Sequence, residues 1–233
     1  METASFAIPT PSWKEIYRVG GGAALLSVLF IPVQIVIFIT WPPPDTITDW
    51  FMLFQDNWLL GLLSMDLLYL LNNTFLILIY LALYIALRPV NPSWMTIAMA
   101  LGFTGIAAYF ASNTCFEMLA LSSQYADAGT GVEQAMLLGA GQALLATYKG
   151  TAFDVYYVFN AAALLILAVV MLRSAVFSKA AGYWGLASGI LMTIPSTAGG
   201  IGMVFALASL LPWMVFCILI ARRLFRLGRS VMY

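Results

Sequence analysis

The side chains able to do chemistry are few, and most of them stand inside or beside apolar runs. Asp66, Tyr69, Asn72 and Asn73 belong to SMDLLYLLNN (64–73), preceded by GLL and followed by TFLILIYLALYIAL. Asn113 and Glu117 close another apolar run, and Lys149, Asp154, Tyr157 and Asn160 open a third. At 100° per residue, Asp66, Tyr69 and Asn73 share one helical face. Asn113 stands one turn from Glu117, and Asp154, Tyr157 and Ala161 form a stripe with Asn160 alongside. These groups offer acceptors and a cation site, and Lys149 is placed to pair with Asp154 or Glu117. A plainer reading stands beside this one: carboxamides as hydrogen-bond glue between helices, tyrosines as packing, Glu117 and Asp154 as solvated residues at span ends.

Other chemistry is excluded by what the chain lacks. It has no histidine, which removes His-held haem, His-ligated zinc and imidazole-assisted nucleophiles. Cys115 and Cys217 form no CxxC and are read as small buried apolar residues. No GxSxG occurs, so no catalytic residue and no metal ligand is assigned. A carboxylate pair, Asp66 with Glu117 or Asp154, is what remains for an enzyme, either as acid and base or holding a hard cation.

The elements that must position these residues follow from composition. Of 233 residues, 63% are hydrophobic and 9% charged, against about a quarter charged in soluble domains. Continuous apolar runs near the roughly 20 residues needed to cross a bilayer predict an all-α, polytopic membrane helix bundle in one domain, 1–233. Six spans are expected, at about 19–40, 58–87, 93–114, 152–172, 183–198 and 201–221. Nine of the ten basic residues (Lys14, Arg18, Arg88, Arg173, Lys179, Arg222, Arg223, Arg226, Arg229) then fall on one side, with Lys149 on the other. Cationic retention makes that side cytoplasmic, together with both termini. The polar N-terminal stretch with Pro9 and Pro11 has no leader-like basic region, so the first helix is expected to be kept.

Two outer connections carry their own pattern. DTITDWFMLFQDNW (45–58) puts Trp50, Phe51, Phe54 and Trp58 near one face, as in a short helix lying in the interface. GVEQAMLLGAGQALLATYKG (131–150) reads as an interfacial or re-entrant helix, or as part of a longer third or fourth span. Trp41, Trp50 and Trp58 mark an outer aromatic belt, and Trp13, Trp94 and Trp184 an inner one. With span two entering at residue 58, Asp66 is expected about 12 Å deep, with Asn72 and Asn73 near the midplane. The polar faces of spans two, three and four should then meet in a recess opening away from the cytosol, because a carboxylate facing lipid costs several kcal/mol.

Three stretches carry a likeness: DLLYLLNNTFLILIYLALYIALRP (66–89), MLRSAVFSKAAGYWGLASGILMTIP (171–195) and LLPWMVFCILIARRLFRLGR (210–229). They resemble the bacterial and archaeal membrane family called "domain of unknown function 4386". In that family an arginine-serine loop leads into a Trp-Gly-Leu helix, and a proline-bearing last span ends in a basic tail. The resemblance implies six helices and brings no established activity. Two functions remain foremost: binding a small molecule, lipid headgroup or ion in the outer polar pocket, or serving as an accessory subunit of a larger membrane complex. The expected setting is the cell membrane, with lipids and other membrane subunits as partners. Nothing points to nucleic acid, and the tail RRLFRLGR suits anionic lipid heads. No span carries a lysine for a retinal Schiff base, and no cofactor is assigned.

Overall fold

A computed structural model describes residues 13–229, leaving the stretch with Pro9 and Pro11 outside the described residues. The described chain is helical, with no strand. Its elements are α1 (Lys14–Thr40), α2 (Ile47–Asp56), α3 (Trp58–Ser64), α4 (Leu67–Leu87) and α5 (Pro92–Ser112), then α6 (Cys115–Asp127), α7 (Gly131–Tyr148), α8 (Thr151–Leu172), α9 (Lys179–Leu191) and α10 (Gly199–Arg229). Side chains start several of them. Asn91 Oδ1 accepts from Trp94 N (3.1 Å) ahead of Pro92 at the first helical position, and Ser178 Oγ accepts from Ala181 N (3.3 Å). Thr130 caps α7, its Oγ1 accepting from Glu133 N, and Glu133 Oε2 accepts from Gly129 N just before it.

Six helices close a ring. Round the ring, α1 packs on α4, α4 on α5, α5 on α8, α8 on α9, α9 on α10, and α10 back on α1. All six contribute to one apolar core, among them Ala24, Leu83, Met95, Leu167, Ala181 and Phe216. Five candidate spans are long and apolar enough to cross a bilayer: α1, α4, α5 with α6, α7 with α8, and α10. The fifth expected span, 183–198, is instead the 13-residue α9 followed by a turn. At 1.5 Å per residue α9 is about 20 Å long, short of a hydrocarbon core of about 30 Å. The turn ends at Gly199, whose φ of 68° reverses the chain into α10.

The remaining helices build a second, smaller core beyond one end of the ring. Trp50, Phe51 and Phe54 of α2 are buried there with Leu62, Met118 and Tyr148. The aromatic face of 45–58, expected at the membrane interface, is therefore turned onto protein. The α6–α7 hairpin supplies that surface, and at Gly141 a Cβ would lie within 2.9 Å of Ile47 and Phe51. Trp58 is separate from this face and exposed, as are Trp13, Trp41, Trp94 and Trp184, whereas Trp50 is 1% exposed. Residues 131–150 form a helix of their own, ended at Lys149–Gly150 and packed on α2 and α6. Cys115 lies in the small core and Cys217 in the large one, both free.

Ser122 on α6 ties this cap together. Its hydroxyl donates to Phe51 O (2.8 Å), and its carbonyl accepts from Gln55 Nε2 (3.1 Å). Ser122→Ala removes one net hydrogen bond of about 1 kcal/mol. The expected result is roughly fivefold faster hydrogen exchange in α2, with the core amides of α5 and α8 unchanged.

Candidate functional site

The span expected over 58–87 is broken. Met65 (φ −96°, ψ 37°) ends α3, and Asp66 sits in the left-handed region at φ 65°, ψ 30°, before α4 begins. Among the described residues it is the one non-glycine with positive φ. Aspartate tolerates this conformation better than most residues. The break also moves Asp66 from inside the expected 58–87 span to the start of α4. Counted along α4, Asp66 lies at the mouth of a 21-residue helix, about 31 Å from its far end. Asn73 lies seven residues, roughly 10 Å, further in.

Interrupting a helix in apolar surroundings strands backbone carbonyls that need new donors. Two carboxamides supply them. Gln34 Nε2 on α1 donates to Leu63 O (3.2 Å), and Asn113 Nδ2 donates to Met65 O (3.0 Å). Asn113 Oδ1 in turn accepts from Cys115 N (3.2 Å), so one side chain secures two breaks, α3/α4 and α5/α6. Gln34 was not among the candidates, although a lone carboxamide in an apolar run was the available signal.

Around the break the rings gather. Tyr148 of α7 donates its hydroxyl to Asp66 Oδ2, holding the cap onto the bundle. Tyr69, Tyr156 and Tyr157 lie close enough to Asp66 to feel its charge, as does Lys149. Tyr109 stacks 4.9 Å from Tyr156 and 6.1 Å from Tyr69, and Phe153 lies 5.2 Å from Tyr157 and 6.5 Å from Tyr148. Sequence reasoning found Tyr69 and Tyr157 but missed Tyr109, Tyr148, Phe153 and Tyr156. The pair YY at 156–157 and Tyr109 one turn before Asn113 were the legible hints.

Several buried polar atoms at this end have no hydrogen-bond partner: Gln34 Oε1, Ser64 Oγ, Asn72 Oδ1, Asn73 Oδ1 and the Tyr109 hydroxyl. Asn73 is fully buried and donates to Tyr69 O (3.0 Å), with the Tyr156 hydroxyl close to its amide. The other candidates are placed elsewhere. Asn160 is fully engaged, accepting from Tyr80 Oη (2.8 Å) and donating to Tyr156 O (3.0 Å). Asp154 accepts from the Thr197 hydroxyl in the α9–α10 turn. Glu117 is on the exposed face of α6, and Lys149 is exposed. Among the described residues no three of Asp, Glu and Cys approach as a metal-holding group.

The family model "Domain of unknown function (DUF4386)" matches residues 19–227. The chain belongs to the DUF4386 family. That match runs from within α1 into the last turn of α10, so it takes in the helix break at Asp66, the α2–α3–α6–α7 cap and nearly all of the ring. Comparison with curated proteins and with solved structures gave no match. What this DUF4386 chain does must be argued from its own side chains.

Proposed function

We propose that this protein, a multi-pass helical bundle of the cell membrane with both termini in the cytoplasm, binds an ammonium-bearing small molecule or lipid headgroup at the Asp66 cluster. The site opens away from the cytosol, opposite the end that carries nine of the ten basic residues. The observation that carries this reading is Asp66 itself: a carboxylate in left-handed backbone conformation at a helix break, partnered by a tyrosine hydroxyl and surrounded by aromatic rings. Aromatic faces attract a cation while a carboxylate balances it. The unpaired oxygens of Asn72 and Asn73 add partial negative charge that suits the methyl groups over which a quaternary ammonium spreads its charge. In this reading the ligand replaces Tyr148 as the partner of Asp66, and the α7 cap moves as it enters.

Calorimetry in neutral detergent, with choline and its uncharged isostere 3,3-dimethylbutanol as probes, tests the proposal. Asn keeps the left-handed preference and the acceptor, so Asp66→Asn is expected to retain its fold while choline binding falls roughly tenfold or more. Tyr148→Phe removes the internal competitor and is expected to bind choline more tightly. Equal affinity for both probes, or no binding by the unaltered chain, removes the ammonium site. A second reading, a subunit of a membrane complex, is favoured by Val132 and Met136 on α7, which are 74% and 72% exposed. Stoichiometric partner chains in native mass spectra after mild extraction are what that reading expects.

A further inference from the structure

At the opposite end of the ring, a groove of about 390 Å³ lies between the α8–α9 loop and α10. Val176, Phe177 and Leu219 form its apolar walls, and Arg222, Arg223 and Arg226 border it, with no acidic residue lining it. Arg222 and Arg226 are one turn apart and exposed, and Arg223 is half-buried with its Nε donating to Val176 O. That bond fixes the guanidinium plane and leaves its outer nitrogens for an anion. Ser178, also at the groove, caps α9, its Oγ accepting from Ala181 N. The other cation nearby, Lys179, is committed to Leu172 O at the end of α8. Among the described residues the one ion pair is Arg18–Glu15, so these three arginines have no carboxylate to balance them.

We infer that Arg222, Arg223 and Arg226 form a binding site for a phosphate group, with an anionic phospholipid headgroup as its source and the apolar walls taking the glycerol and the start of the acyl chains. A guanidinium fork matches two phosphate oxygens, which a diffuse surface charge does not. Exposed Tyr183 and Trp184 in the first turns of α9 place the groove at the level where headgroups lie.

The test uses the full chain in vesicles of phosphatidylcholine with a minor fraction of phosphatidylglycerol, followed by extraction and native mass spectrometry. The unaltered chain is expected to retain phosphatidylglycerol, and R222Q/R226Q to lose it roughly tenfold. R173Q/R229Q removes the same charge from the same end and is expected to retain the lipid. R222K/R226K keeps the charge and the orientation of insertion, is expected to fall between, and carries the test should the glutamine pair not fold. Inorganic phosphate raising the thermal midpoint of the unaltered chain, but not of R222Q/R226Q, without lipid retention would assign the same site to a soluble phosphate compound. Equal lipid loss in both glutamine pairs, or neither retention nor a phosphate shift, overturns the site.

Discussion

Gly105→Val is expected to collapse the folded population of this protein. A Cβ at residue 105 would overlap Asn160 Nδ2 and lie 3.2 Å from Phe159 Cβ, so that α5 and α8 cannot keep their spacing. Overpacking of this kind costs about 1–3 kcal/mol. Displacing Asn160 also breaks its bonds to Tyr80 Oη and Tyr156 O, at about 1–3 kcal/mol for each group left buried and unpaired. The sum approaches the roughly 5–15 kcal/mol that holds an ordinary domain folded. The thermal midpoint in detergent, read by size exclusion after heating, should fall sharply or the chain should not be recovered. A milder cycle makes the cause visible: Gly105→Ala and Asn160→Ala should each destabilise, while the double variant costs less than the sum, because truncating Asn160 opens the space that the added methyl group needs.

The second large effect concerns the helix break. Asn113→Leu leaves Met65 O without its donor, and Gln34→Leu does the same for Leu63 O. Each is expected to cost about 1–3 kcal/mol. Their combination should reorganise the junction so that Asp66 leaves its left-handed conformation. Proteolysis at the 64–67 junction under native conditions measures this directly, with rapid cleavage of the double variant and resistance of the unaltered chain expected. If the two carboxamides merely filled space, leucine would substitute without consequence.

The helical class and the helices long and apolar enough to cross a bilayer were legible because they depend on one-dimensional quantities, run length and apolarity. The break at Asp66 was not. SMDLLYLLNN contains no proline or glycine, and the interruption is set by groups far along the chain, Gln34, Asn113 and Tyr148, none of which periodicity connects to residue 66. The same limit explains α2. Its amphipathic face was visible, but whether that face meets lipid or protein depends on the distant α6–α7 hairpin. Among the polar candidates, Tyr69 and Asn73 stand one turn apart on α4, Asn73 Nδ2 donating to Tyr69 O, whereas Asp66, expected on the same helical face, precedes α4 in left-handed conformation. Asp154 was drawn away by Thr197, a turn residue whose hydroxyl no helical phase could assign. Tyr109, Tyr148, Phe153 and Tyr156 escaped because a tyrosine or phenylalanine in an apolar run reads as filling until its ring neighbours are known.

The closure of the ring by α1 against α10 bears on biogenesis. These two helices are separated by almost all of the intervening polypeptide, so their pairing is the longest-range contact in the bundle and carries the largest loop-closure entropy. During synthesis α1 and α9 must wait with unsatisfied flanks until residues 199–229 emerge. A nascent chain stalled before that point offers the quality-control machinery two adjacent greasy seams, and the arrival of α10 seals both at once.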